Sequence, residues 1–441
     1  MGVTPPNPTP APATRTSWRS PGLDLTRDGR ALFLTRSARM FGYGSLAVVL
    51  VLYLAAVGLS DPQIGLVLSL TLAGDTIISL WLTTHADRLG RRRVLIAGAF
   101  LMAGAGIVFV LTREPVLLLA AATIGVISPS GNEVGPFLAV EQAALSESIP
   151  GSRRTHVFAW YNLVGSVSTA VGALTAGFVA QGLQAAGLVA LDSYRAIVVG
   201  YAGIGLLLIL GFRRLTPSIE VRPEETAPVG VSEVPGAPPI KARFGLRHSR
   251  GIVFRLAALF SLDAFGGGLV TQSLMAYWFH LRWGVEPAVL GGIFFGANIL
   301  AAISALSASR LAARFGLINT MVFTHLPSNI LLILVPLMPS LPLAIVVLLA
   351  RFSISQMDVP TRQSYTIAVV HPDERSAAAG VTGIARTTGA ALSPLIAAPL
   401  VGTAALAAVP FYLAGGLKIA YDLILYRLFK SKPPPEETTK S

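Results

Sequence analysis

Residues 83–95 read Thr-Thr-His-Ala-Asp-Arg-Leu-Gly-Arg-Arg-Arg-Val-Leu, a short knot of charge between two long apolar runs. Each flanking run is long enough to cross a hydrocarbon layer of about 30 Å as a helix. The stretch therefore reads as the tight loop of a helical hairpin in a membrane. Positive-inside bias accounts for Arg91, Arg92 and Arg93. It does not account for the order Asp87-Arg88-Leu89-Gly90 before them. Gly90 supplies a backbone that turns at positive φ without strain. Asp87, at the end of the preceding helix, is placed to accept hydrogen bonds from arginines or from a neighbouring helix N-terminus.

The composition outside this loop agrees with it. Of 441 residues, 53% are hydrophobic and only 13% charged, where a soluble protein carries about a quarter charged residues. Twelve apolar runs of spanning length follow one another, at roughly 33–57, 62–84, 94–112, 115–146, 155–182, 193–213, 251–280, 286–309, 317–337, 341–370, 376–401 and 404–429. The expected fold is an all-α polytopic membrane protein of twelve transmembrane helices. The net charge of +12 lies in short loops, which suits anionic lipid headgroups and topology rather than nucleic acid. With no cysteine there is no disulfide and no thiolate metal site. No cofactor motif is present, and neither a nucleotide-binding motif nor a Ser/His/Asp set at one membrane depth suggests an enzyme.

Residues 1–30, rich in Pro, Thr and Arg, read as a disordered cytoplasmic tail, and 431–441 as a second one. Residues 214–250 carry Pro217, Pro223, Pro228, Pro235, Pro238 and Pro239 with charges of both signs, the composition of a linker. It separates a six-helix half at 31–213 from another at 251–430. Lys and Arg concentrate in the loops after runs 2, 4, 6 and 8: Arg88, Arg91, Arg92, Arg93, Arg153, Arg154, Arg213, Arg214, Lys241, Arg243, Arg247, Arg310 and Arg314. The opposite loops hold little beyond Arg113, Arg195 and Arg282. Both termini and the linker are therefore expected in the cytoplasm, with the chain in the cell (plasma or inner) membrane. The halves echo each other. Arg88-Leu89-Gly90 has a counterpart in Arg314-Phe315-Gly316, Phe41-Gly42 in Phe265-Gly266, and Tyr53 in Tyr277. Glu133 and Asp358 fall at nearly the same offset, as do Arg154 and Arg375. Ala313 stands where the first copy has Asp87.

The 83–95 loop resembles the signature between helices 2 and 3 of the major facilitator superfamily, Gly-x-x-x-Asp-Arg-x-Gly-Arg-Arg/Lys. Asp87, Arg88, Gly90, Arg91 and Arg92 match it, and Thr83 takes the place of its first glycine. The resemblance covers residues 31–430. It implies two six-helix pseudo-repeats, a central cavity lined by helices 1, 4, 7 and 10, and alternating access. It also implies that the loop of Asp87, Arg88, Gly90, Arg91 and Arg92 braces the cytoplasmic ends of the halves in the outward-facing state. The texture, including Asp358-Val-Pro-Thr-Arg-Gln363, is similar to the multidrug-efflux-like permeases. The Gly-Pro pair of the antiporter signature in helix 5 is absent here.

A charge at the bilayer centre costs about 2.5–3.5 kcal/mol on insertion scales, so it needs a cavity or a partner. The candidates are Arg36 and Arg39 in run 1, Asp75 in run 2, Glu133 and Glu141 in run 4 and Asp263 in run 7. Run 10 adds Asp358 and Arg362, run 11 Arg386, and run 12 Lys418 and Asp422. Asp358 and Arg362, four apart, are spaced for mutual neutralisation, as are Lys418 and Asp422 on a peripheral helix. Arg386 is an alternative partner for Asp358. Glu141 is expected at a loop salt bridge with Arg153 and Arg154, and Asp75 against a polar group of helix 4 or 11. Arg39 and Asp263 occupy equivalent positions with opposite charge and are expected to meet near the pseudo-two-fold axis. Glu133 and Asp263 have no opposite charge within four residues, which suits a carboxylate that takes up and releases a proton. Around Glu133, Pro129, Gly131, Gly135 and Pro136 break the helix and expose backbone for a ligand, or else shape a plain kink. Asn132, Asn162, Gln272, Tyr277 and Gln356 are candidate substrate contacts.

The function this favours is proton-coupled export of a small drug-like compound or metabolite by a carrier that acts as a monomer. Uptake of a small solute or anion held by Arg39, Arg362 or Arg386 is the alternative, with metal or metalloid export a third. A non-transporting receptor or scaffold on the same fold gains nothing from charges on cavity helices.

Overall fold

The computed structural model describes residues 25–149, 153–220, 246 and 248–430. The tails, most of the linker and its Lys241, Arg243 and Arg247 lie outside the described residues. The chain runs as α1 (Arg27–Val57), α2 (Asp61–Thr84), the short α3 (Ala86–Leu89), α4 (Arg91–Leu111), α5 (Pro115–Ile124), α6 (Phe137–Ser148), α7 (Arg154–Ala185) and α8 (Ala190–Arg213). The second half holds α9 (Arg250–Gly268), α10 (Gln272–Trp283), α11 (Pro287–Phe315), α12 (Leu317–Leu334), α13 (Leu341–Phe352), α14 (Asp358–Ala368), α15 (Arg375–Leu392), α16 (Pro394–Gly402) and α17 (Val409–Phe429). The first helix starts inside the stretch expected to be tail. Thr26 caps it, its hydroxyl accepting from Gly29 N at 3.0 Å.

Among the described residues, nine helical segments are long and apolar enough to cross a membrane. The other three spans are α5 with α6, α13 with α14, and α17, which carries Lys418 and Asp422 in its middle. Twelve spans result. The expected runs at 115–146 and 341–370 are not continuous helices: residues 125–136 and 353–357 leave the helical path. So do 269–271 between α9 and α10.

The first break has a local cause. Pro129 and Pro136 lack the N–H a helix needs, and Gly131 and Gly135 sit at φ 71° and 82°. Peptide groups freed inside a membrane need other partners. Gly135 N donates to Asp75 at 2.7 Å, Ser128 Oγ donates to Asn132 O at 2.7 Å, and Pro129 O accepts from Ser273 N and Oγ at 3.1 and 2.6 Å.

The repeats pack alike. In the first half α1 lies along α7, and in the second α9 lies along α15. A Cβ on Gly172 would sit 2.1 Å from Phe41 O, and one on Gly389 would sit 2.3 Å from Ser261 O. Only glycine lets these backbones approach so closely.

Contacts between the halves run along α7 with α11, α2 with α15 and α16, and α1 with α10. Their hydrogen bonds gather away from the Asp87 loop, at mid-depth and at the far end. Gln181 Nε2 donates to Glu286, Ala288 N to Gln181 at 3.0 Å, and Tyr277 Oη to Asp61 at 3.1 Å. Deeper in, Ser273 Oγ donates to Ala47 O at 2.8 Å and Leu395 N to Ser69 at 3.1 Å.

Candidate functional site: a charged cavity between the halves

A cavity of about 410 Å³ opens between the halves. Its first-half wall is polar but uncharged, with Ser130, Gly131 and Asn132 from the helix-4 break and Ser166 and Thr169 from α7. Its second-half wall carries the charge. Asp263, Asp358, Arg362 and Lys418 reach it from three spans, with Arg351 and Arg386 beside them.

The carboxylates share cations. Lys418 Nζ donates to Asp263 at 2.6 Å, and Arg362 Nη1 to the other Asp263 oxygen at 2.9 Å. The same Arg362 nitrogen lies 3.1 Å from Asp358. All four side chains are buried. Behind them His325 lies 3.8 Å from Asp263 and hydrogen-bonds Asp422 at 2.9 Å, while Asn329 Nδ2 donates to Asp422 at 3.0 Å. The side chains of Arg351 and Arg386 make no hydrogen bond or ion pair with the described residues, and the Nε of each is buried without a partner; the Arg351 guanidinium lies 4.8 Å from the Phe352 ring centroid. Gln272 accepts from Asn298 Nδ2 at 3.2 Å and leaves its own buried Nε2 unpaired.

The first half holds a second charged cluster, which closes on itself. Glu133 lies 2.8 Å from Arg36 and 2.9 Å from Arg39. Glu141 accepts a two-pronged bond from Arg39 at 2.8 and 2.7 Å, and the Tyr161 hydroxyl donates to it. Asn162 Oδ1 accepts from Arg36 at 3.4 Å. The Arg36 and Arg39 guanidinium groups each lie 4.3 Å from a ring centroid, those of Tyr161 and Phe137. Two cations and two anions thus neutralise one another, and none of the four lines the cavity.

Several expected pairings come out differently. Arg39 and Asp263 do not meet, because each finds its counter-ions within its own half. Glu133 and Asp263 are not unpaired. Their own helices offer no counter-charge within four residues, but neighbouring helices supply two cations to each. Glu141 bonds Arg39 rather than Arg153 or Arg154. Lys418 and Asp422 do not form a local pair: Lys418 reaches Asp263, and Asp422 reaches His325 and Asn329. Arg386 lines the cavity, while Asp358 pairs with Arg362. Asp75 meets the helix-4 segment, at Gly135 N and at Ser79 of its own helix. Of the candidate substrate contacts, Asn132, Gln272 and Gln356 line the cavity. Asn162 belongs to the closed cluster and Tyr277 to the contacts at the far end. Arg351, His325 and Asn298 were not anticipated. An intramembrane-charge argument reaches Arg351, which stands alone in the apolar run 341–352. His325 and Asn298 gave no sequence signal beyond a polar residue in an apolar helix.

The Asp87 loop is fastened to its own half and to the first residues of the linker. Gly90 sits at φ 94°. Arg91 N and Arg92 N donate to the Glu220 carboxylate at 2.6 and 3.2 Å. Arg91 Nε donates to Asp87 at 3.1 Å, and Arg92 Nη1 to Leu215 O at 3.3 Å. The Asp87 side chain remains 63% exposed.

Comparison with known proteins places this architecture. The model of the Major Facilitator Superfamily matches residues 32–394. The Saccharomyces cerevisiae membrane protein YJR124C is 31% identical over 423 residues, covering 92% of this chain and 94% of its own. Among solved structures, a D-xylose–proton symporter superposes with a TM-score of 0.71 at 15% identity, over 92% of this chain and 98% of that one. The nucleoside transporter NupG gives 0.66 at 15% identity, over 92% and 100%. A bacterial homologue of the iron transporter ferroportin in its inward-facing state gives 0.67 at 13%, over 90% and 97%. These structures share the fold, and with the family match over most of its length the chain belongs to the Major Facilitator Superfamily.

Proposed function

We propose that this chain is a proton-coupled secondary carrier that moves a small solute across a cell membrane by alternating access, acting as a monomer. The loop arginines put the Asp87 loop in the cytoplasm. The described state is then inward-facing, with the halves joined at mid-depth and at the outer end. Asp87, which among the described residues bonds Arg91 of its own half, is placed to brace the opposite half once the cytoplasmic end closes. The observation that carries the coupling is Asp263, a buried carboxylate on the cavity wall holding both Lys418 and Arg362.

This arrangement gives the proton a job. While Asp263 and Asp358 are ionised they occupy Lys418 and Arg362. Protonation of either carboxylate weakens that hold and frees cationic donors for a solute. Proton and solute then load together, which supports uptake by symport. Export by exchange for protons is the second reading. It rests on the likeness of Asp358–Gln363 to efflux permeases, and it requires proton and solute to compete for the site.

Proteoliposomes with a pH-sensitive dye in the lumen separate the two. Cationic, neutral and anionic solutes are added outside in turn. Co-loading acidifies the lumen as solute enters, whereas exchange makes it alkaline. Asp263→Asn abolishes the pH signal in either case. A signal that survives in Asp263→Asn rules out this carboxylate as the coupling group. Net solute uptake without any pH change rules out proton coupling.

A further inference from the structure

We propose that the cavity selects a small organic anion, a metabolite-sized solute bearing a carboxylate or phosphate group, held by Arg351 and Arg386 together. The inference deepens the carrier reading and rests on it for transport, though binding is testable by itself.

The charges around the cavity do not balance. Arg362 and Lys418 are committed to Asp263 and Asp358, two cations to two anions. Asp422 stands behind His325. Arg351 and Arg386 remain, and neither forms a direct ion pair with a carboxylate among the described residues; Asp263 and Asp358 act on them only from beyond contact distance. The second-half wall together with Asp422 is positive by one charge when His325 is neutral and by two when it is protonated. The first-half cluster across the cavity is neutral and closed. Asp75, the other carboxylate on that side, does not line the cavity and accepts from Gly135 N. Among the described residues of the cavity wall nothing offsets the surplus.

Buried charge without a partner is costly, and a guanidinium fork matches the two oxygens of a carboxylate or phosphate. The neutral groups agree. Gln272 Nε2 and Ser355 Oγ are buried, line the cavity and lack partners, and both can donate to an anion's oxygens. The lining is also poor in rings: Phe352 and His325 are the aromatic members. A lipophilic cation would need aromatic faces and free carboxylates, and here it would meet uncompensated arginines. The volume of about 410 Å³ suits a metabolite.

The test is ligand binding to the purified full-length protein, read by thermal shift and titration calorimetry. The probes are succinate beside succinamide, glycerol 3-phosphate beside glycerol, inorganic phosphate, and tetraphenylphosphonium as an organic cation. The expected result is that one anion class binds at least about tenfold more tightly than its neutral counterpart. The carboxylate and phosphate arms show which. Arg351→Gln and Arg386→Gln each weaken that binding by at least about tenfold, and the Lys versions retain part of it. Should the Gln variants fail to fold, the wild-type comparison of charged with neutral probes still decides. Preference for a neutral or cationic probe, or equal binding of both members of each pair, overturns the proposal. Counterflow of that preferred probe would leave the carrier reading intact. Tight anion binding with no counterflow of any solute would keep the anion site and overturn the carrier reading instead.

Discussion

In the first half, Arg36, Arg39, Glu133 and Glu141 close on one another away from the cavity. In the second half, Asp263, Asp358, Arg362 and Lys418 sit on the cavity wall beside two arginines that form no ion pair with the described residues. Both clusters bury charged side chains among packed helices, one in each repeat. They differ in whether the charge is finished. A closed, neutral cluster has spent its electrostatics on holding α1 against α6 and α7, whereas an open one keeps donors for something that is not part of the chain. Burial of charge alone therefore does not mark a transport site, and the unsatisfied remainder is the better marker.

The largest effect that tests this contrast is on stability. Arg39→Gln strips Glu141, which is fully buried, of its guanidinium partner and Glu133 of one of two among the described residues. Removing one partner of a buried pair costs about 3–5 kcal/mol, so the thermal midpoint in detergent falls sharply. Adding Glu141→Gln to Arg39→Gln recovers part of the loss, since the stranded charge is gone. Arg386→Gln removes no pair and leaves the midpoint at or above that of the wild type. Equal losses for Arg39→Gln and Arg386→Gln would mean that both clusters are structural, and the contrast would collapse.

The next effect sharpens the contrast by showing where the halves do agree. Gly172 and Gly389 hold equivalent helix crossings, and in each a Cβ would fall against a carbonyl oxygen. Gly172→Ala and Gly389→Ala should each cost about 1–3 kcal/mol, the usual range for overpacking. Similar drops in thermal midpoint would separate a symmetric scaffold from an asymmetric set of charges. A loss in only one of the pair would show that the crossings are not equivalent.

How much of this could be read in the sequence follows from how far each interaction reaches. The spans were legible because a helix in lipid satisfies its backbone within itself, so length and hydropathy suffice. The break at 125–136 was legible in Pro129, Gly131, Gly135 and Pro136. The break at 353–357 was not, since Ser353-Ile354-Ser355-Gln356-Met357 contains neither glycine nor proline. Charged residues were legible one by one, but their partners were not. Spacing along a helix predicts neighbours three or four residues away, and the decisive pairs join Asp263 to Lys418 and Arg39 to Glu133 across helices. Lys418 and Asp422 show the failure most clearly. The four-residue spacing suggested a local pair, and stronger partners on α9 and α12 drew them apart.

The smallest expected effect concerns the two ends of the molecule, where the same contrast between engaged and free groups recurs. Between the halves, Gln181 with Glu286 and Tyr277 with Asp61 join the far end, while among the described residues Asp87 at the other end bonds Arg91 of its own half. A surface pair contributes about 0–1 kcal/mol, so neither Asp87→Asn nor Glu286→Ala should shift the thermal midpoint much. They should act oppositely on the balance of states. Glu286→Ala loosens the engaged end and favours its opening. Asp87→Asn leaves the described state alone and weakens the alternative, in which that loop would brace the other half. The chain has no cysteine, so Ala276→Cys, fully buried on α10, a helix that packs on α1 of the first half, gives a single-site reporter. Labelling by an impermeant maleimide should speed up in the Glu286→Ala background and slow down in the Asp87→Asn background. If Asp87→Asn instead speeds labelling, the loop stabilises the described state through its own half, and the bracing role belongs to another residue.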